Sequence, residues 1–174
     1  MRAHTAGTRT MIHVAVLKPK YLAMLLSGEK TLECRLTRNR IEPHGRIRRG
    51  ERVYFKESSG PFRATAIVEE IIEHTDLDES GILAIREAYG PSIGAPDSFW
   101  ESKRTARFAV LVRFRRIEEV SRGPKMPTLN GRGWVRLPRE EDPYPSCLAK
   151  RATRGRAGGE KPRKSSRRKG PARA

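Results

Sequence analysis

The pattern of apolar and polar residues divides the start of the chain into three elements. Residues 13–17 are mostly apolar and predict a short strand that ends before Pro19. Between residues 20 and 27 the apolar positions recur at helical spacing, and Gly28 follows, as it does where a helix ends in the left-handed conformation. Residues 30–36 alternate between polar and apolar, which predicts a half-buried strand.

The middle of the chain predicts a β-hairpin and one further strand. Residues 52–56 and 62–72 are both typical of strands. The sequence Ser-Ser-Gly-Pro at residues 58–61 predicts a tight turn between them. Residues 107–117 form the strongest remaining strand pattern, so we expect a sheet built largely from these three segments and the two strands before them.

A helix is predicted after the hairpin. Asp76 is a candidate N-cap, because Glu79 lies at the capping-box position three residues later. An apolar stripe follows and is expected to end at Gly90-Pro91. Phe99-Trp100 indicates a second, short helix.

Glycine and proline dominate residues 123–145, so this stretch is predicted to be irregular, with Trp134-Val135 as its apolar anchor. The count of five or six strands and two or three helices predicts an α+β fold, most simply a curled β-barrel with flanking helices. We place the folded domain at residues 11–138. A flexible N-terminus, residues 1–10, precedes it, and a disordered tail rich in Lys and Arg, residues 139–174, follows it.

Charge adds the first indication of a partner. The 174 residues include 37 Lys and Arg against 20 Asp and Glu, a net charge of +17. Residues 149–174 hold eleven of these cations, one acid and no apolar residue larger than Ala, so they cannot form a core. A strongly basic chain indicates an anionic partner such as nucleic acid. A solubilising role for the tail is the alternative.

Several classes of protein are not expected. No apolar run approaches the length of a membrane span, and the first ten residues lack the apolar segment of a signal peptide. With only two cysteines, Cys34 and Cys147, a disulfide framework is not expected. This cysteine usage is typical of a reducing compartment, so we expect a cytoplasmic location. The four histidines are scattered without ligand spacing, so we expect neither a metal nor a cofactor.

The strongest candidate for chemistry is the spacing Gly28-x-Lys30-x-x-Glu33-x-Arg35. A glycine that ends a helix delivers Lys30 to the beginning of a strand. Glu33 and Arg35 lie two residues apart on that strand, so both project from one face and can pair. Such a pair would orient the guanidinium toward a phosphate or a base edge. A solvated polar face on an edge strand is the alternative interpretation.

This motif, after a strand that ends in Leu-Lys-Pro at residues 17–19, resembles the ASCH domain of the PUA-like superfamily. The segment Gly-Glu-Arg-Val-Tyr-Phe at residues 50–55 also matches, and the resemblance covers about residues 12–118. It implies a β-barrel flanked by helices, with a cleft for RNA or a modified nucleoside. By the motif, Lys30, Glu33 and Arg35 would line that cleft.

We therefore predict an RNA-binding protein without membrane association. The predicted RNA-binding residues are Lys18, Gly28, Lys30, Glu33, Arg35, Arg38 and Arg40. The alternatives are a small-ligand binding module, or an enzyme, either a ribonuclease or an amidohydrolase similar to those acting on N4-acetylcytidine, with Lys30 and Glu33 as catalytic candidates. In the amidohydrolase branch a Thr nucleophile is expected where this chain has Glu33, and a carboxylate cannot serve as an alkoxide nucleophile.

Overall fold

The computed structural model describes residues 10–144, which form six strands, three α-helices and one 3₁₀ turn. The strands are β1 (Met11–Leu17), β2 (Leu32–Thr37), β3 (Arg52–Glu57), β4 (Phe62–His74), β5 (Phe108–Glu119) and β6 (Trp134–Pro138). The α-helices are α1 (Pro19–Ser27), α2 (Glu79–Ile93) and α3 (Asp97–Lys103), and the 3₁₀ turn is Arg139–Glu141. The predicted segments 1–10 and 139–174 lie outside the described residues, except for residues 10 and 139–144.

The six strands form one curled sheet in the order β2-β5-β4-β3-β1-β6. Strands β1 and β3 run parallel, and every other neighbouring pair is antiparallel. The predicted fold class, an α+β fold with a curled, barrel-like sheet and flanking helices, is confirmed. The two edge strands of the sheet are β2 and β6, and β2 carries the motif singled out above.

Two apolar cores cover the sheet. The first lies between the sheet and α1 and comprises Ala15, Leu17, Leu22, Leu25, Ile47, Val53, Phe55, Ala64, Ala66, Val68, Val110, Val112, Phe114 and Trp134. The second packs α2 and α3 against β2 and β5 and comprises Leu32, Cys34, Leu36, Ile82, Ile85, Ile93, Trp100, Ala106, Ala109 and Leu111. Strand β2 therefore has an apolar face that anchors it to the second core, as its alternation predicts.

Most of the predicted elements are confirmed. Strands β3 and β4 form the expected antiparallel hairpin. Gly28 ends α1 with φ of +80°, and its N–H donates to the carbonyl of Leu25. The short helix around Trp100 is α3.

The predicted N-cap of α2 is wrong by two residues. Asp78 caps the helix, because its carboxylate accepts the N–H of Gly81 over 2.8 Å. Asp76 instead adopts φ of +53° and pairs at the surface with Arg107. Both aspartates can cap a helix by residue type, and the path of the chain after β4 decides between them.

The predicted end of α2 at Gly90-Pro91 is also wrong. The helix includes both residues, runs to Ile93 and ends at Gly94, whose φ is +65°. Contacts from outside the helix hold its last turn: the N–H of Thr31 donates to the carbonyl of Ser92, and the side chain of Ile93 is buried. Tertiary packing here outweighs the helix-breaking tendency of Pro91.

The stretch 123–145, predicted to be irregular, contains the edge strand β6. Residues 134–138 pair antiparallel with β1. The chain then turns, and the carboxylate of Asp142 reaches the other side of the sheet, where it accepts the hydroxyl of Tyr54 and lies 3.2 Å from Nε of Arg52. All three of these residues are buried, so the folded structure continues past β6.

Candidate functional site

A cleft of about 590 Å³ opens beside the edge strand β2. Its walls come from β2, the end of β1, the first turn of α1, the α2–α3 region and the beginning of β6. The polar side chains of its lining include Lys18, Lys30, Glu33, Arg35, Ser98, Ser102 and Lys103. This volume lies within the range of small-ligand sites in proteins.

Lys30 is buried in the wall of the cleft, and its ammonium group meets three acceptors. Nζ donates to the carbonyls of Leu32 at 2.9 Å and Ile93 at 2.8 Å, and lies 3.3 Å from Oε2 of Glu33. An ammonium group has three N–H donors, so these three acceptors use its full capacity. Lys30 therefore ties β2 to the last turn of α2 and holds the Glu33 carboxylate.

Glu33 and Arg35 form the pair that their spacing predicts. Nε of Arg35 lies 2.9 Å from Oε1 of Glu33, as an ion pair whose N–H is not aligned for a hydrogen bond. The Glu33 side chain is 5 % exposed and that of Arg35 is 21 % exposed. A carboxylate this deeply buried is not part of a solvated surface face, so the alternative interpretation of the motif is wrong.

The guanidinium of Arg35 rests in a cradle built by β1 and β6. Its Nη2 donates to the carbonyl of Val16 over 3.1 Å, and its Cζ lies over the Trp134 ring, 5.4 Å from the ring centre. A Cβ on Gly133 would approach its Nη1 to 2.8 Å, so glycine leaves the room this group occupies. Arg35 thus links β2 to β1 and β6 at the opposite end of the sheet order, and it does so inside the cleft.

A buried polar network continues from Trp134 away from the cleft. The indole Nε1–H donates to Nδ1 of His13 over 3.1 Å, and Nε2 of His13 lies 2.9 Å from Oε2 of Glu51. Glu51 also accepts the backbone N–H groups of Met11 and Arg48. Burial by itself would raise the pKa of Glu51, but these bonds and the one from His13 outweigh it and lower that pKa.

The free edge of β2 offers backbone groups to the cleft. Thr37 accepts the N–H of Arg107 on the β5 side, whereas the carbonyl of Leu32 accepts Lys30 on the other side. Because residues of an antiparallel strand alternate in which side they bond, the N–H and C=O of Cys34 lie on the edge of β2 that faces away from β5. Cys34 is among the residues that line the cleft. Burial raises the pKa of the Cys34 thiol to about 12, so the thiol stays protonated at neutral pH.

Cations and one apolar residue surround the mouth of the cleft. Lys18 is the N-cap residue of α1, and Lys103 lies in the last turn of α3. Lys103 and Arg38 also line a second pocket of about 320 Å³ that shares several residues with the cleft. Ile41, at the rim of both pockets, is 56 % exposed.

The structure brings together only part of the predicted set. Lys18, Lys30, Glu33 and Arg35 line the cleft, and Arg38 lines the neighbouring pocket. Gly28 shapes the end of α1, and Arg40 donates to His44 within the loop that follows β2, so neither of them lines the cleft. Their role in RNA binding stays a prediction.

Two contributors to the cleft could not be placed there from the sequence. Trp134 is predicted as an apolar anchor and a candidate stacking residue, but only the pairing of β6 with β1 brings its ring to Arg35. Lys103 carries no sequence signal beyond its charge, because only the packing of α3 brings it to β2.

Metal and membrane features are absent from the part of the chain that the structure describes. Within residues 10–144 no three His, Cys, Asp or Glu side chains come close enough to hold a metal ion. No helix in the same range has both the length and the apolar character needed to cross a bilayer.

Neither a protein family model nor a curated protein sequence matches the chain. Solved structures do match. The crystal structure of ASCH from Zymomonas mobilis superposes with a TM-score of 0.55 at 15 % identity, over 75 % of this chain and 90 % of that one. The chain has an ASCH fold.

Two mutant structures of the Zymomonas mobilis protein agree with this assignment. One has a TM-score of 0.55 at 17 % identity over 75 % of this chain and 90 % of that one. The other has a TM-score of 0.50 at 17 % identity over 62 % and 71 % of the two chains. The resemblance to the ASCH domain is thus confirmed at the level of the fold. At such identities the likeness extends no further than the ASCH fold itself.

Proposed function

We propose that this ASCH-fold protein binds single-stranded RNA and that its cleft takes one unpaired nucleotide. The observation that carries the proposal is the rigid placement of Arg35, whose guanidinium is held on three sides and remains partly exposed in a cleft of nucleotide size. A guanidinium fork fixed in this way suits bidentate recognition of a phosphate or a base edge.

The walls of the cleft supply acceptors as well as donors. Each carboxylate oxygen of Glu33 contacts one cation and has a further lone pair that can accept an amino group of a base. The free edge of β2 adds the N–H and C=O of Cys34, one donor and one acceptor side by side. Base edges present the same alternation of donors and acceptors, which favours a nucleobase over a simple anion as the occupant.

The neighbouring pocket suits the phosphate of the next nucleotide. Arg38 and Lys103 line it, together with the polar residues Ser102 and Asn39. Neither cation pairs with an acidic side chain in residues 10–144, so both charges remain available to a phosphate. The two pockets adjoin, as successive nucleotides of one strand require.

Three features favour binding over catalysis. Lys30 has its donors committed to the protein, which leaves it no role as a free nucleophile or acid. Glu33 stands where the amidohydrolase branch is expected to have a Thr, and the Cys34 thiol stays protonated. The cytoplasm, where cellular RNA and reducing conditions coincide, is the compartment this proposal requires.

The proposal is tested by incubating the purified protein with total RNA. Bound species are recovered and sequenced, and the RNA is checked for cleaved or deacetylated products. We expect retained RNA without products. Arg35→Ala should lower retention strongly, whereas Arg86→Ala, which removes an arginine outside the cleft, should lower it little. Equal retention by both variants, or products whose formation requires Lys30 or Glu33, would overturn the proposal.

A further inference from the structure

The buried network behind the cleft has one hydrogen bond that depends on a proton. His13 is fully buried and has partners on both ring nitrogens, Trp134 on Nδ1 and Glu51 on Nε2. An indole N–H can only donate, so Nδ1 must be the unprotonated nitrogen and Nε2–H must donate to Glu51. The ring of Trp134 is therefore held in place by a neutral histidine.

The same indole ring supports the guanidinium in the cleft. Its centre lies 5.4 Å from Arg35, and His13 lies on the side of the ring away from the cleft. Arg35 has two further supports, Glu33 and the carbonyl of Val16, so a shift of the ring would tilt the guanidinium without releasing it.

We propose that His13 is a positioning residue for the cleft: as a neutral acceptor it fixes the Trp134 ring against Arg35, and uptake of a second proton weakens ligand binding. With a proton on Nδ1 of His13, two N–H donors would face each other, and the indole N–H of Trp134 would lose its hydrogen-bond acceptor. The effect on ligand binding rests on the proposed function, whereas the effect on Trp134 and Arg35 does not.

Within residues 10–144, two charged side chains lie beside His13. Glu51, the residue before β3, contacts it directly, and the lowered pKa of Glu51 keeps this carboxylate ionised. Arg136 on β6 is the cross-strand partner of His13 and pairs with Glu42 over 3.4 Å. A second proton on His13 would leave its contact with Glu51 intact, so the hydrogen bond from the indole is the contact that protonation would remove.

A second ion pair near β3, between Arg52 and Asp142, does not face His13. Arg52 and Asp142 pair on the opposite face of the sheet, because successive strand residues alternate and Val53 faces the first core. Their ion pair is therefore separated from His13 by the sheet itself.

Nuclear magnetic resonance of the full chain tests the network without a ligand. The chain has two tryptophans, so the indole N–H spectrum holds two signals, and Trp134→Phe identifies one of them. Between about pH 8 and about pH 5.5 we expect the Trp134 signal and the Nε–H signal of Arg35, assigned by its loss in Arg35→Lys, to shift together. The Trp100 signal should stay in place.

His13→Asn is the matched variant, because its side-chain oxygen can accept the indole N–H and does not titrate. In His13→Asn both shifts should vanish. If the Trp134 signal does not move in the wild type, or moves equally in His13→Asn, the proposal is overturned. Should His13→Asn fail to fold, Trp134→Phe decides the case: without an indole N–H, the Arg35 signal should no longer follow pH.

Binding of a fluorescently labelled single-stranded RNA tests the consequence. Over the same pH range, wild-type affinity should fall about fivefold relative to that of His13→Asn, the equivalent of one net hydrogen bond. Trp100→Phe, a buried tryptophan outside the network, should follow the wild type. Equal pH profiles for wild type and His13→Asn would refute the link to the cleft. Absence of RNA binding at every pH would refute the proposed function, and the resonance experiment would still decide the network.

Discussion

At the scale of single residues, the basic side chains of the cleft differ in what their surroundings leave free. Lys30 is charged and central, but three acceptors of the protein use its donors. Arg35 has more donors than its neighbours occupy, because a guanidinium carries five N–H groups. Lys30 therefore stabilises the site, and Arg35 is the residue that can face a ligand.

Gly133→Ala tests the cradle of Arg35. The new Cβ would lie 2.8 Å from Nη1, too close for an ordinary contact, so the guanidinium must shift from the position in which Glu33, Val16 and Trp134 hold it. We expect a loss of stability of about 1–3 kcal/mol, the usual cost of overpacking. RNA affinity should fall by about tenfold, since the displaced guanidinium no longer faces the ligand. Thermal unfolding and fluorescence anisotropy measure the two quantities.

Gly90→Ala is the control for this variant, because a Cβ there meets only an ordinary contact at 3.8 Å. It should leave RNA affinity unchanged. A Gly133→Ala protein that binds RNA like the wild type would show that the position of Arg35 does not matter.

The residues of the pair were predictable and their surroundings were not. Alternation along one strand suffices to place Glu33 and Arg35 on one face. The carbonyl of Ile93 that accepts Lys30 is 63 residues away in sequence, at the end of a helix that the pattern predicts to stop earlier. Contacts of this kind depend on how helices and strands pack together, so the spacing of residues within one segment cannot predict them.

At the scale of elements, β6 and the 3₁₀ turn after it complete the sheet. Strand β6 is short and follows a stretch rich in Gly and Pro, so its own pattern is too weak to predict a strand. Pairing with β1 and burial of Trp134 stabilise it instead. Elements with strong periodicity, such as β4 and β5, were predictable because their pattern and their packing agree.

Asp142→Asn tests whether the turn after β6 belongs to the folded domain. The change leaves the buried guanidinium of Arg52 without its counter-charge, which typically costs about 3–5 kcal/mol. Chemical denaturation should show a loss of this order. Asp97→Asn, which breaks an exposed pair with Arg86, should cost less than about 1 kcal/mol. Equal losses in the two variants would contradict a structural role for the turn.

At the scale of the whole molecule, two sets of positive charge are expected to serve different roles in binding: the cations of the two pockets and those of the C-terminal residues. The eleven cations of residues 149–174 lie outside the described residues and are expected to contact phosphates without reading sequence. The cleft, with its fixed geometry, is expected to supply the preference for one ligand over another.

Deletion of residues 149–174 separates these two contributions. Because each neutralised phosphate releases counterions, the truncated protein should bind every RNA more weakly, and its affinity should depend less steeply on salt concentration. Preference among RNA sequences should persist. Filter binding over a series of salt concentrations measures both. A loss of sequence preference with an unchanged salt dependence would contradict the division.

The central claim is that the Glu33 carboxylate orients Arg35 for RNA, and the affinity of Glu33→Gln tests it most directly. Simple electrostatics predicts tighter RNA binding when a negative charge is lost, whereas orientation predicts weaker binding, by about tenfold. Glu29→Gln removes the same charge from an exposed position outside the cleft and should bind slightly more tightly than the wild type. Fluorescence anisotropy at a fixed salt concentration measures the RNA affinity of each variant. Weaker binding by Glu33→Gln than by the wild type supports the account. A normally folded Glu33→Gln that binds RNA more tightly contradicts it.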